Sequence, residues 1–307
     1  MRVLRSRLII PINVKKFVEK AYLRNADAIV LDLEDSIPKN EKESSRKLIR
    51  DALSDVEKSG IPIYIRINSE QEHRYPDIEH SIIKGITGIV VPKVEYAQEI
   101  IEIENYVMKL EQKRNLPSGS IAISVLIETA KGFLNIEEIV EASDRIESIS
   151  LGMEDLAYDM GFSINDRNSS ALDYLRMKLI TVARANDILP LGLLGSIANY
   201  TDLDKLSQHA KGAYELGFVG SSCIHPDQVE VFNAAFHHTQ EEVKESEKIV
   251  DIFNKAIREG RASATYNGQM IDYPHYENAK RVLNRKLIID KHETRKQAAR
   301  EKLKGDI

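Results

Sequence analysis

The sequence predicts an α/β protein, a (β/α)8 TIM barrel with a C-terminal helical extension. Three observations carry that expectation. Short apolar runs recur, most of them followed by a stretch with helical apolar spacing, and no long β-only run interrupts the alternation. Eight strand–helix units fit between Leu8 and His225, and eight is the number that closes a parallel barrel. The first turn, Pro11-Ile12-Asn13, lacks the glycine-rich pattern that opens a doubly wound sheet, the competing architecture.

Leu8–Ile10 is the first strand and Val14–Arg24 the helix after it, with Asn13 as N-cap. Ala28–Asp35 is an apolar run that closes in acids, followed by a helix over Asn40–Glu57 carrying Leu48, Ile49, Leu53 and Val56. Ile61–Asn68 is a third strand, with Pro62 at its start, where a missing donor is tolerated. Gly88–Lys93 is the fourth, with a helix over Ala97–Lys109 and a loop over Gln112–Ser120. Ile121–Glu128 and Ile146–Asp155 are the fifth and sixth strands, joined by a helix over Gly132–Ala142. An irregular loop spans Tyr158–Ser169, and a helix follows over Ala171–Asn186. Ile188–Leu194, a helix over Leu203–Leu216, and Phe218–Ile224 complete the count.

Residues 1–236 are thus expected to form the barrel domain and residues 237–307 a helical extension, a lid or an oligomer arm. The extension reads as an amphipathic helix over Glu241–Arg258, a connector over Glu259–Tyr273, and a long helix from Pro274. Its end, Arg285–Ile307, holds eight Lys or Arg against four Asp or Glu, which reads as a solvated face.

Composition narrows the function. The 307 residues, 42% hydrophobic and 30% charged, supply ample core, and a net charge of −5 argues against general nucleic-acid affinity. A single Cys excludes an internal disulfide and suits a reducing compartment. The N-terminal apolar run is too short for a signal peptide, and no run reaches membrane-spanning length. A cytoplasmic protein with neither nucleic acid nor membrane as partner is expected.

Active sites of such barrels lie at the C-terminal strand ends. Those ends supply Asn13, Glu34, Asp35, Arg66, Asn68, Lys93, Glu128, Glu154, Asp155 and His225. Acids gathered on one rim repel unless paired, and a divalent cation between Glu128 and Asp155 relieves that repulsion. Mg²⁺ suits an all-oxygen set, usually taking one or two carboxylates and leaving the rest to water and substrate. Glu34 and Asp35 fit behind it, hydrogen-bonding the ion's waters, or else cap the following helix. Arg66 interrupts an apolar strand; it either faces a carboxylate or enolate oxygen of a ligand, or is consumed by Glu34 or Asp35. Lys93 closes its strand, His225-Pro226 reads as a helix-start turn, and Cys223 as a small buried residue.

Nine motifs in order over residues 5–283 resemble the citrate lyase beta-subunit-like family, with malyl- and citramalyl-coenzyme A lyases among the HpcH/HpaI aldolases. They are Arg5-Ser6, Leu31–Asp35, Lys42 with Arg46, Ile65–Asn68, Val91–Val94, Ile127-Glu128-Thr-Ala, Leu151–Leu156, Leu216-Gly-Phe with Ile224-His-Pro and Gln228, and Gly268–Asp272 before Pro274. The resemblance implies a barrel with a helical extension, assembled as a homo-oligomer, a trimer or hexamer. It implies Glu128 and Asp155 as Mg²⁺ ligands, Arg66 as a substrate contact, and Lys16 and Lys20 near the phosphates of a coenzyme A thioester. It also implies Asp272 as a catalytic residue that enters a neighbouring subunit's site.

The chemistry implied is Mg²⁺-dependent cleavage or formation of a 3-hydroxyacyl thioester of the malyl-, citramalyl- or citryl-coenzyme A type. Its products are a 2-oxo acid and an acetyl thioester. Gly152, Met153 and Glu154, with Glu128, would hold the acid half. The alternatives are a metal-dependent aldolase on free 2-oxo acids, or a non-catalytic citrate lyase-like subunit. Three departures touch ligand-facing segments: Ile12 stands where the resemblance expects glycine, Gly192 lies where an Asp is expected nearby, and Gly217–Ser222 replaces a Gly-Phe-Asp-Gly-Lys run.

Overall fold

Eight parallel strands make one sheet: β1 (Ser6–Pro11), β2 (Ala28–Asp32), β3 (Ile63–Arg66), β4 (Gly88–Val91), β5 (Ala122–Ile127), β6 (Ile146–Leu151), β7 (Leu189–Leu191) and β8 (Ser221–Cys223). The computed structural model describes residues 2–164 and 169–305. Pairing runs β7-β6-β5-β4-β3-β2-β1-β8. Leu8, Ile10, Ile29, Leu31, Ile63, Ile65, Ile89 and Val91 face outward into one cluster shared with the helices. Ala28, Val30, Tyr64, Val90, Leu189 and Leu191 form a second cluster, inside the barrel. Strands buried on both faces read as unbroken apolar runs, which is why the sequence announces them.

The circle is finished by two backbone bonds rather than a regular ladder. Gly192 N donates to Gly220 O at 2.9 Å, and Val219 N to Pro190 O at 3.0 Å. The N and C=O of one residue point to the same side of a strand, so Pro190 withholds a donor from the β8 side. Side chains are also excluded here. A Cβ at Gly220 would meet Leu4 O at 1.8 Å, and one at Gly192 the Phe218 ring at 2.5 Å. Two of the departures from the family pattern therefore meet at this seam.

Several helices differ from their sequence expectations. The segment over 14–24 is only a short helix, Lys15–Val18, and a 3₁₀ turn, Ala21–Leu23. The helix expected over 40–57 is broken at Leu48, and the one over 132–142 at Asn135, whose side chain donates to Glu95 O at 2.8 Å. A helix over Gln71–Ser81, with Pro76 inside it, has no clear apolar period. Tertiary bonds hold it instead: buried Asp77 accepts from Arg46 Nε at 2.7 Å and from Asn68 N at 2.9 Å. The sixth strand stops at Leu151, and Met153–Met160 is helical, so Glu154 and Asp155 belong to a first helical turn rather than a strand. Of the loop expected over 158–169, residues 165–168 lie outside the described residues.

The chain divides into two compact units, residues 4–236 and a second unit made of the residues before Leu4 together with the chain from residue 237 through the C-terminal helix. In the second unit a helix spans Gln240–Arg258, capped by Thr239, whose hydroxyl accepts from Glu242 N at 3.1 Å. The connector expected after it holds a hairpin, β9 (Ala264–Tyr266) and β10 (Gln269–Ile271), turned by Asn267 and Gly268 at φ 49° and 76°. A helix then runs over Tyr273–Gly305. Phe253, Ala256, Ala264 and Ile271 form this unit's core. Among the described residues, no helix is long and apolar enough to cross a membrane.

Candidate active site

Strand alternation carries Ala28, Val30 and Asp32 into the barrel, so Asp32 emerges inside the C-terminal rim. Arg66 ends the neighbouring strand and meets it side on, Nε to Oδ1 at 2.6 Å and Nη2 to Oδ2 at 2.7 Å. Asp32 is fully buried. Burial works to raise its pKa, but the hydrogen bonds and charge of Arg66 outweigh burial and hold the carboxyl below the ordinary range. Arg66 Nη1 lies 3.2 Å from Glu34 and 3.3 Å from Asp35. Its main partner is therefore neither acid that sequence reading offered.

Glu128 follows β5 and is 3% exposed. Its Oε2 accepts from the backbone N of Lys93 at 3.1 Å, a residue held at φ 52°. Its Oε1 lies against Gly152, where a Cβ would come within 2.3 Å, so only glycine lets the carboxyl occupy this place. Burial, then the charges of Glu34 and Asp155, push the Glu128 carboxyl up to about 8. Burial likewise raises Glu34 to about 7, against the pull of Arg66, with Asp35 adding to the rise. Among the described residues Glu34 Oε2 has the Arg66 ion pair but no hydrogen-bond partner, while its Oε1 takes Lys93 Nζ at 3.1 Å. Five carboxylates, of Asp32, Glu34, Asp35, Glu128 and Asp155, thus gather around the two cations of Arg66 and Lys93.

Such a set has one sign in excess. Buried carboxylates driven toward the neutral form by one another are where a hard divalent cation gains most, and the donors here are all oxygen. Among the described residues no three or more His, Cys, Asp or Glu side chains converge as a ready metal cage. Two protein carboxylates with the remaining positions open is the arrangement Mg²⁺ tolerates.

Asp155 and Glu154 sit exposed in the first turn of the helix over Met153–Met160, where the positive end of the helix dipole favours anions. The N-cap of that helix is Gly152, which has no side chain to cap it. One cavity is lined by Asp35, Arg66, Glu128 and Gly152–Asp155, and it brings together most of the expected residues. Lys16 and Lys20 do not line it; both are exposed after β1, with Lys16 Nζ 5.2 Å from the Phe17 ring centroid. Ile12 is 2% exposed and turns into the core, so it places no side chain in a ligand's path. Asp272 belongs to the second unit, where its Oδ1 lies 2.6 Å from His275 Nδ1, a contact that holds the carboxyl below its ordinary range. His225 is a helix N-cap, its Nδ1 accepting from Asp227 N at 3.3 Å, and Cys223 is buried, as expected. Asp32 is the residue that sequence reading passed over, and Lys93, expected only to close its strand, also places its Nζ on Glu34. Period-two alternation from Val30 identifies Asp32; nothing local announces the left-handed backbone at Lys93.

Residues 5–226 match the family described as HpcH/HpaI aldolase/citrate lyase. The chain is 31% identical to the citrate lyase subunit beta of Leuconostoc mesenteroides subsp. cremoris, over 92% of this chain and 93% of that one. It is 27% identical to the L-malyl-CoA/beta-methylmalyl-CoA lyase of Rhodobacter capsulatus, over 92% and 94%. Among solved structures it resembles CitE of Mycobacterium tuberculosis in complex with magnesium, acetoacetate and coenzyme A. The TM-score is 0.72 at 26% identity, covering 92% of this chain and 97% of that one. This chain belongs to the HpcH/HpaI aldolase/citrate lyase family and is, with its relatives, a carbon–carbon lyase.

Proposed function

We propose that this chain, with Mg²⁺, cleaves or forms a 3-hydroxyacyl thioester of the malyl-, citramalyl- or citryl-coenzyme A type. The observation that carries the reading is the Glu128 carboxyl, raised to about 8 beside Glu34 and Asp155, on the same cavity as Arg66. Mg²⁺ held by Glu128 and Asp155 would supply Lewis-acid polarisation of the carbonyl that forms on the acid half. Glu34 and Asp35, with Lys93, would orient the ion's waters.

The remaining roles fall to the chain's own groups. The N–H groups of Met153, Glu154 and Asp155 at the helix N-terminus donate to the acid half's carboxylate, and Gly152, whose own N–H is taken by Ile127 O at 2.9 Å, lets it approach closely. In cleavage the hydroxyl loses its proton and the C2–C3 bond breaks. The bonding pair passes into the enolate of the acetyl thioester, which then takes a proton at carbon. Arg66, fixed on two sides by Asp32, offers its Nη1 edge to the enolate oxygen. Asp272, kept ionised beside His275, is suited to removing the acetyl-carbon proton in the condensation direction. We take residues 1–236 as the catalytic domain and residues 237–307 as the arm of a homo-oligomer, a trimer or hexamer, in which Asp272 serves a neighbour.

Because Lys16 and Lys20 stand exposed and off the cavity, an aldolase acting on free 2-oxo acids is the competing reading. Malyl-, citramalyl- and citryl-coenzyme A are to be assayed for 2-oxo acid release with the wild type and with Lys16→Ala/Lys20→Ala. The wild type is expected to cleave at least one thioester. The double variant is expected to raise its KM about tenfold with kcat little changed, as for phosphate contacts made before the chemistry. Release from none of the three thioesters, with cleavage of a free 4-hydroxy-2-oxo acid, would favour the free-acid aldolase.

A further inference from the structure

Arg7, the second residue of β1, points into the barrel and is 2% exposed. Its Nη1 donates to Ser124 Oγ at 2.6 Å and Ser148 Oγ at 3.5 Å, and its Nη2 to Ser222 Oγ at 3.2 Å. These are neutral hydroxyls from β5, β6 and β8, and among the described residues Nε has no hydrogen-bond partner. None of its described hydrogen-bond or ion-pair partners is a carboxylate. Burial depresses its pKa, opposed chiefly by Tyr64 and Glu147, whose side chains are hydrogen-bonded to each other. A buried guanidinium whose described hydrogen-bond partners are all serine hydroxyls is costly, and an apolar side chain of similar volume would pack a barrel centre at less expense.

The site roles above make no use of this residue. Yet it lines the same cavity as Arg66, Glu128 and Asp155. Arg7 pairs with Ala28 of β2, whereas Arg66 pairs with Asp32, four residues further along. The two backbones are therefore about 13 Å apart along the strand. Ile9, Val30, Val90, Leu126 and Leu191 line the cavity between apolar walls. A slot with apolar walls, a cation at its floor and a cation-demanding rim is complementary to a short aliphatic stem with an anion at each end.

We propose that Arg7 is a specificity-determining residue that receives a second carboxylate on the acid half of the substrate, so that dicarboxylic 2-oxo acids are preferred over monocarboxylic ones. This deepens the lyase reading and rests on it for the placement of the first carboxylate. The test is calorimetric binding, in Mg²⁺, of pyruvate and 2-oxobutyrate against oxaloacetate, 2-oxoglutarate and 2-oxoadipate, to the wild type, Arg7→Met and Arg7→Lys.

In the wild type at least one dicarboxylic acid is expected to bind about thirtyfold or more tightly than pyruvate. Arg7→Met is expected to bring that ratio near one while raising the melting temperature by several degrees, since it removes a poorly compensated buried charge. Arg7→Lys keeps the charge and is expected to retain part of the preference. A wild type without the preference overturns the proposal. So does a ratio unmoved in Arg7→Met or, if that variant does not fold, abolished in a folded Arg7→Lys. Failure of thioester cleavage with the binding preference intact would count against the lyase reading and leave this one standing.

Discussion

Glu128→Gln is expected to lower kcat/KM by more than about 1000-fold and, at the same time, to stabilise the metal-free protein at alkaline pH. The amide keeps the shape of the carboxyl and can still accept from Lys93 N, so the place against Gly152 stays filled. What is lost is the negative charge that Mg²⁺ would need. What is relieved is the cost of burying that charge and its repulsion from Glu34 and Asp155, which together push the carboxyl up to about 8.

The sign of the pH dependence follows from the same numbers. Both Glu128 and Glu34 have folded-state pKa values raised above the ordinary 4.5, to about 8 and about 7. The folded state therefore binds more protons than the unfolded one between about pH 4.5 and 8. Their contribution to stability is full at low pH and is lost as pH rises through about 7 for Glu34 and about 8 for Glu128. Thermal melts without metal should fall from pH 6 to pH 9 in the wild type and fall less in Glu128→Gln. Mg²⁺ should restore the wild type most strongly above pH 8, where it no longer competes with protons, and should do little for the variant. A variant that responds to Mg²⁺ as the wild type does would remove Glu128 from the site.

Arg66→Met is expected to be the more damaging substitution for the fold. It leaves Asp32, fully buried, without the guanidinium that grips both its oxygens, and orphaning one partner of such a pair costs about 3–5 kcal/mol. Turnover should fall about 1000-fold or more through loss of enolate stabilisation. The two effects separate in Arg66→Met/Asp32→Asn. Neutralising the buried acid should return most of the urea-unfolding midpoint, while kcat stays at the level of the single variant. If the double variant regained activity together with stability, Arg66 would be a structural strut and no more.

The barrel was legible because parallel strands are buried on both faces, and runs such as Ile63–Arg66 and Gly88–Val91 need no alternation to be noticed. The helix over Gln71–Ser81 was not, because charge-rich residues and Pro76 erase its period and Asp77 anchors it through partners distant in sequence. The hairpin at Asn267-Gly268 carried the strongest short turn signal there is, but three-residue strands are too brief to show a pattern around it.

At the site the acids were read by where the apolar run ends, which selects Glu34 and Asp35 and passes over Asp32. Counting in twos along β2 corrects that. Asp155, expected at the end of a strand, lies instead in a helical first turn, beside the first N–H groups of that helix. Arg7 interrupts β1 much as Arg66 interrupts β3. Lying at the beginning of its strand, it falls outside any reading confined to strand ends.

The reaction proposed for this rim is Mg²⁺-dependent carbon–carbon cleavage of an acyl thioester. It is tested by stripping the protein of divalent ions with a chelator, removing the chelator, and following 2-oxo acid release from malyl-, citramalyl- and citryl-coenzyme A before and after Mg²⁺ is returned. No release is expected without metal, and prompt release from at least one thioester is expected once Mg²⁺ is added, with Glu128→Gln silent throughout. Equal release with and without Mg²⁺, or no release from any of the three by folded, Mg²⁺-responsive protein, would contradict it.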